Sequence, residues 1–579
     1  MKKHFLIFSV LLLSFMHLHA QWTNGGTQIS TTADNHHRAF TSAAPNGSYY
    51  VCWQATDTTA SALSKIRVAH YDSTGSLMPG WTAGGKLTSP AGDHYAPQLI
   101  TTEDGGVIVT WYGYALGNPR SYIYAQKYNA SGAALWNFTN PLMVSTGTIY
   151  NHKYPIITND KHSGAYITWV RYDSTNSASS PDIFLQHIDS IGQVAFGWNL
   201  SPVGVAVNAG QREYDPRLAL TPDKNSVYVT YAQGLIGNTF LTLKKYDALN
   251  GNLSTGWSTN GVTLSPGPNV YPDINHDLWV YADNANNAVV FWVESRSSAN
   301  GEIYMQQVSP AASPLLAANG ILIGGNTSNG IDYLEVQQES DMDFLLAYNN
   351  LETFNDVETE KVKGNGTILW HDLANTTGGY SAYPMPVSDG NKGMFVFYKG
   401  TGSPDRLFAL GVDSLGHLNT GVSWALPGPG FGVVSNNDPF EPNYDLNPIA
   451  TKKGEAVVSW NRTVAGLFQV FTCDLLRNGN TCTNYPAGVE ELSMQKGPIL
   501  IYPNPFSDEL ILRILPESHL ENANPLLRIY TLDGRLVQEE RLHVLTETHI
   551  STAQIARGMY FYQVVDGEKI VQNGKIIRN

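Results

Sequence analysis

Helical periodicity, charge, cysteine and long apolar runs are all scarce in this 579-residue chain, and each scarcity excludes something. Almost no segment repeats apolar residues every 3.6 positions, which excludes helical bundles and helical solenoids. Only 15% of residues are charged, and Lys+Arg 35 against Asp+Glu 49 gives a net charge of −14. No basic cluster offers the face that phosphate neutralisation needs, so no nucleic-acid partner is expected. The three cysteines, Cys52, Cys473 and Cys482, make neither a zinc spacing nor a redox motif. His-Glu-x-x-His, Gly-x-Ser-x-Gly and the phosphate loop are missing as well.

One apolar run stands near the start, from Phe5 to Phe15, behind Lys2 and Lys3 and ahead of Leu18-His19-Ala20. It is too short to span a bilayer and reads as a signal peptide, residues 1–20, cleaved after Ala20. No later stretch is long and apolar enough for a transmembrane segment in the mature chain. Gln21 and not a cysteine directly follows the cleavage point, so a lipid anchor is not expected. In an oxidising compartment Cys473 and Cys482, which flank an eight-residue loop (482 − 473 − 1 = 8), are expected to form a local disulfide. Cys52 lies in an apolar strand and reads as a buried thiol.

What is abundant is turn and strand chemistry: Gly 53, Tyr 31 and Trp 13, with many Thr, Ser and Asn. One unit recurs eight times. Its most apolar strand ends in an aromatic, at Trp53, Trp111, Trp169, Tyr231, Trp292, Tyr348, Tyr398 and Trp460, and successive differences are 58, 58, 62, 61, 56, 50 and 62. Most copies carry a Tyr-Pro or Tyr-x-Pro lead-in, as at Tyr95-Ala96-Pro97, Tyr154-Pro155, Tyr214-Asp215-Pro216, Tyr271-Pro272 and Tyr383-Pro384. A proline at the first residue of a strand loses no ladder hydrogen bond. Later in each unit comes an Asx-opened turn closed by glycine, such as Asp72-Ser73-Thr74-Gly75 or Asp189-Ser190-Ile191-Gly192. A second tryptophan then marks a fourth strand, at Trp81, Trp136, Trp198, Trp257, Trp370 and Trp424.

Four strands per unit, repeated eight times, describe an all-β chain whose body is a β-propeller of about eight four-stranded blades, residues 21–483. Trp22 to Ser30 resembles the fourth-strand segment Trp257 to Ser265 yet precedes the first full unit, while the last unit has no such segment. Residues 21–30 are therefore expected to close the last blade and remove two exposed sheet edges. A polar linker, residues 484–498, leads to a C-terminal domain, residues 499–579, that alternates apolar and polar residues as a small immunoglobulin-like β-sandwich does.

That last segment carries Tyr502-Pro503-Asn504-Pro505-Phe506, Leu526 to Tyr530, Asp533-Gly534-Arg535, Arg557-Gly558-Met559-Tyr560 and Gly574-Lys575-Ile576-Ile577. In this order they resemble the type A C-terminal sorting domain of the type IX secretion system of Gram-negative bacteria. The resemblance implies a sorting signal on Tyr502, Pro503, Asn504, Pro505, Gly534, Gly558, Tyr560 and Lys575, and the type IX translocon as a partner. It further implies passage through the periplasm, translocation across the outer membrane, and surface attachment or release. It names no ligand.

Candidate chemistry lies at one rim of the channel, three residues before each lead-in proline or its equivalent. That register falls on His36, His94, His152, Glu213, Asn269, Ser381 and Asp445. Three histidines on successive blades followed by a carboxylate admit two readings: convergence on one divalent metal, or a rim histidine copied with its blade that bonds a neighbour. Tyr95, Tyr154, Tyr214, Arg38, Arg212 and Arg217 stand beside them. A binding or adhesion module for an extracellular glycan or protein is the first functional reading, with His36, His94, His152, Glu213, Tyr95 and Arg217 as ligand-binding residues. A polysaccharide lyase or glycoside hydrolase acting at the same rim is the second, by fold-level analogy alone. A structural surface component is the third. The turns do not keep the spacing of sialidase Asp boxes, and the acidic loop from Asn436 to Asp445 fits no EF-hand and reads as a surface turn.

Overall fold

The computed structural model describes residues 26–58, 62–136, 141–147, 149–173, 181–208, 210–235, 238–265, 278–296, 301–324, 330–350, 356–374, 380–401, 406–419, 431–435, 446–451, 455–477, 499–502, 506, 509–514, 525–531, 535–542, 548–552, 554–566 and 569–578. The chain divides into two compact units, Met1–Tyr485 and Pro486–Asn579. The signal peptide, the linker segment 486–498, Asn269, the 436–445 loop with Asp445, and Cys482 lie outside the described residues. Among the described residues no helix is long and apolar enough to cross a membrane.

The first unit consists of eight four-stranded antiparallel sheets. Seven follow chain order, opening with Asn35–Ala43, Gly92–Thr101, Tyr150–Asn159, Arg212–Leu220, Leu278–Ala282, Ile331–Gln338 and Tyr380–Ser388. The eighth joins Asn447–Ala450, Ala456–Val464 and Leu467–Leu475 to Thr27–Gln28 from the N-terminal side, with Thr27 opposite Thr472 and Gln28 opposite Phe471. The first strand of each sheet packs on that of the next, and the eighth on the first. The ring is closed, a propeller of eight blades with first strands innermost, and Thr27–Gln28 is the outer strand of the eighth.

Four of the blades are held by an aromatic stack. The strand-end aromatic sits opposite a third-strand aromatic in Trp111–Tyr124, Trp169–Phe184, Trp292–Tyr304 and Tyr398–Phe408, with ring centroids 5.9, 6.2, 6.1 and 5.6 Å apart. A glycine lies where the indole ends: a Cβ on Gly85 would fall 2.5 Å from Trp53, and one on Gly320 2.6 Å from Trp292. Neighbouring blades are joined by the second tryptophan. Trp81, Trp136, Trp198 and Trp257 each donate Nε1–H to a carbonyl in the following blade's turn, those of Ala130, Ser190, Ala248 and Pro310, at 2.8 to 3.0 Å. The turn glycine has its own reason, since Gly192 has φ 82° and a Cβ there would lie 2.7 Å from Trp136. Two motifs read separately in the sequence are thus the two halves of one contact between blades.

The lead-in prolines correct one expectation. Pro97, Pro155, Pro216 and Pro384 do not begin strands but lie inside the innermost ones, where pairing skips between Tyr95 and Gln98, Lys153 and Ile156, Tyr214 and Arg217, and Ala382 and Met385. A β-bulge makes no ladder bond at that point, so it tolerates proline as a strand start does. Tyr271-Pro272 lies outside the described residues. Cys52 is buried and free, its thiol pushed up by burial. Cys473 is disulfide-bonded.

The second unit has a three-stranded sheet of Ile499–Tyr502, Glu509–Ile514 and Thr548–Ser551, and a four-stranded sheet of Leu536–Arg541, Leu526–Tyr530, Gly558–Asp566 and Lys569–Arg578. Leu510, Leu512, Leu527, Ile529, Tyr562 and Val564 share one core. Two sheets over one core are a coarser description than the immunoglobulin-like sandwich expected.

Candidate functional site

The three rim histidines occupy equivalent places and perform the same task in each. Nδ1 of His36, His94 and His152 accepts the indole N–H of Trp53, Trp111 and Trp169 at 2.9, 3.1 and 2.9 Å, each from its own blade. The separation is 17 residues every time (53 − 36, 111 − 94, 169 − 152). All three rings are 2% exposed or less. Burial lowers each to about 4, so each is neutral at pH 7. An accepting Nδ1 puts the proton on Nε2, which in His36 lies 3.2 Å from the Thr32 carbonyl. The histidines therefore tie the start of each inner strand to its own blade core. Among the described residues no group of three or more His, Cys, Asp or Glu is arranged to hold a metal ion. Glu213 takes the fourth place and is fully buried. Ser381 is described through its backbone, opposite Gly400.

A different ring of residues marks the bulges of the inner strands. Six inner strands carry a left-handed non-glycine residue at the bulge: Arg38, Ala96, Tyr154, Asp215, Tyr333 and Tyr383, with φ of 53, 49, 55, 53, 55 and 58°. Such a conformation costs on the order of 1–3 kcal/mol per residue and persists only where the surroundings impose it. Part of the imposition comes from the preceding blade. The side-chain carbonyl of Gln54 accepts from Ala96 N at 3.4 Å, and that of Asn349 from Tyr383 N at 3.2 Å. Each of these amides directly follows its blade's strand-end aromatic.

The bulges gather tyrosines. Tyr95 stacks on Tyr112 at 5.4 Å, Tyr112 meets Tyr154 edge-on at 5.5 Å, and Tyr154 is 39% exposed. Arg38 acts electrostatically on Tyr112, and Tyr154 and Asp215 act on Tyr172, which continues the row toward blade 4. Tyr95 donates its hydroxyl to Asp93, whose other oxygen accepts from Ser64 N at 2.9 Å. Burial first, and then neighbouring phenols or carboxylates, raise Tyr95, Tyr112 and Tyr172 above the usual phenol range. Their hydroxyls stay protonated and serve as hydrogen-bond groups. Across the ring Tyr333 meets Tyr383 at 4.3 Å. Arg217 is buried, 5.8 Å from the Trp279 ring, and belongs to the contact of blades 4 and 5. Tyr214 donates to Thr239 at 3.1 Å, and Arg212 is exposed.

Sequence reasoning picked out Tyr95, Tyr154 and Arg38 but missed Tyr112, Tyr172, Asp215, Tyr333 and Tyr383 as neighbours. The signal available was the residue just before each lead-in proline, which is the bulge residue itself in Ala96, Tyr154, Asp215 and Tyr383.

Residues 500–579 match the family described as the secretion system C-terminal sorting domain. The second unit is that sorting domain. It directs the chain to the cell surface or the medium through the type IX secretion machinery. Of the residues implied as its signal, Tyr502, Gly558, Tyr560 and Lys575 lie on strands, and Pro503, Asn504, Pro505 and Gly534 are outside the described residues. No curated protein sequence matches the chain. Among solved structures, the lectin BP39L from Burkholderia pseudomallei is 13% identical, covering 68% of this chain and 98% of its own, with TM-score 0.42. A PL25 ulvan lyase is 12% identical over 68% and 95%, TM-score 0.38, and the GH93 α-L-arabinofuranosidase of Fusarium graminearum is 13% identical over 59% and 98%, TM-score 0.32. Likenesses this distant carry no argument about activity; the propeller rests on the strand pairing above.

Proposed function

We propose that the exported propeller is a binding module for an extracellular glycan, held at the tyrosine-lined bulges of blades 2 and 3. The observation that carries this reading is the Tyr95–Tyr112–Tyr154 row, which ends in a partly exposed ring on a left-handed backbone. Phenol rings offer apolar faces for sugar C–H groups and hydroxyls for sugar oxygens, and rigid aromatics lose little entropy on binding. Arg38 adds a cation beside them.

Binding is favoured over lyase or hydrolase chemistry because neither proton-transfer candidate is poised for it. The rim histidines already accept from tryptophan within the blades. The tyrosines have raised rather than lowered pKa values, opposite to what a phenolate base needs. The test is a glycan array on the exported chain, followed by calorimetry with the best oligosaccharide on wild type and Tyr154→Ala. Loss of about tenfold or more in affinity is expected from removing one stacking ring. A silent array, or unchanged affinity in the variant, would overturn the reading.

A further inference from the structure

Blade 4 departs from its sisters at three positions that touch one another. Where blades 1 to 3 place histidine it has Glu213, where five blades place tryptophan it has Tyr231, and opposite that ring, where blades 2, 3, 5, 7 and 8 place tyrosine or phenylalanine, it has Thr242. Indole becomes phenol and a second ring becomes a hydroxyl. The glycine ahead of the fourth strand registers the change: a Cβ on Gly261 would first meet Leu243, Thr242 and Lys244, whereas one on Gly320 of blade 5 would first strike Trp292.

The side chains concerned share one face of the sheet. Glu213 pairs with Gln233 and Tyr231 with Thr242, and Gln233 and Lys244 each stand two residues from that second pair. The face is turned to blade 3, since Lys244 Nζ donates to Val205 O at 2.7 Å and Glu213 N to Pro181 O at 3.0 Å. Four oxygens on it, Glu213 Oε2, Tyr231 Oη, Gln233 Oε1 and Thr242 Oγ1, are buried without a protein hydrogen bond of ordinary geometry, the Tyr231 and Thr242 hydroxyls lying near each other. Tyr231 responds electrostatically to Glu213, and so does Lys244, which places the groups in one neighbourhood.

We infer that the junction of blades 3 and 4 encloses a water-binding pocket in which water bridges Glu213, Tyr231 and Thr242. Orphaned buried polar groups each cost about 1–3 kcal/mol, and a buried water makes about 3 hydrogen bonds, so one or two waters meet the demand. Water suits the set better than a cation. It donates to the carboxylate and amide oxygens while accepting from the two hydroxyls, whereas a cation would leave both hydroxyl protons unmet and would sit near the Lys244 ammonium.

The test is a high-resolution crystal structure of the exported chain, together with thermal melts of wild type and Glu213→Gln. Density for water within hydrogen-bond distance of Glu213 Oε2, Tyr231 Oη and Thr242 Oγ1 is expected. Those oxygens turned onto protein partners with no water between them, or a metal ion with four or more short oxygen contacts, would overturn the inference. A Tyr231→Trp/Thr242→Phe variant restores the pattern of the sister blades and should expel the water; density retained there would also sink it. In the melts, the charges facing Glu213 are Asp182 from blade 3 and Lys244 from its own blade. Wild-type Tm should fall relative to Glu213→Gln as pH rises from about 4.5 to about 7, the window in which the unfolded chain has lost this proton and the fold still holds it. Parallel curves would count against a solvated carboxyl there.

Discussion

The indole nitrogen of Trp111 donates to Nδ1 of His94 across 3.1 Å, and both side chains are wholly buried. The bond recurs at Trp53–His36 and Trp169–His152, so what repeats along the chain is a pair and not a histidine. Removing one member leaves a buried donor unpaired. His94→Ala should therefore cost about 2–4 kcal/mol, from the orphaned indole and the space left behind, read as a shift in the urea midpoint. Chelators should leave wild-type stability unchanged; a midpoint that moved with EDTA would restore the metal reading.

Acid should loosen these same three pairs. Each histidine is held near 4 in the fold against an ordinary 6.5, so below pH 6.5 the unfolded chain binds protons that the folded chain refuses. Stability is complete above about 6.5 and falls as pH drops through about 4, by an order-of-magnitude 3 kcal/mol per histidine. Urea melts from pH 7 to about 4 should show the slope, and His152→Gln should reduce it.

Glu360 acts in the opposite sense over nearly the same range. It is buried and raised to about 7 by desolvation, with Tyr348 donating to it at 2.9 Å. A carboxyl whose folded pKa exceeds its unfolded value contributes fully below about 4.5 and loses that contribution as pH rises through about 7. Glu360→Gln should flatten the decline in Tm between about pH 4.5 and about pH 7; an unaltered slope would show that the carboxyl ionises at no cost.

Backbone strain at the bulges is testable at Ala96, whose φ is 49°. Ala96→Gly should be neutral or slightly stabilising, because glycine enters the left-handed region freely and offsets this with greater freedom when unfolded. Ala96→Val should cost about 2 kcal/mol or more, since a β-branched side chain is worst placed there. Equal stability of the two variants in chemical denaturation would refute a strained bulge.

Truncation after Gly574 removes part of the last strand of the sorting domain, Lys569–Arg578, and leaves every propeller strand in place. The truncated chain should fold and collect in the periplasm, as fractionation would reveal. Its undiminished arrival at the surface or in the medium would contradict the sorting role.

Local chemistry determined much of this protein from the sequence alone. Apolar strands, Asx-Gly turns and tryptophans at regular spacing announce blades because each signal lies within one unit, and the displaced Trp22 segment announces ring closure because its sister segments are complete. The sorting domain was legible for the same reason, as a run of contiguous motifs. Only the tertiary structure decided what the repeated residues are for. His94 looks like a ligand until Trp111 is seen to hold it, and Trp136 looks like core until its N–H is found on the next blade's turn. Pro97 was placed at a strand's start because sequence shows the missing donor but not the bulge that excuses it. The tyrosine row and the polar pocket of blade 4 join residues from separate strands and neighbouring blades. Such contacts are set by how blades pack, which one-dimensional spacing does not encode.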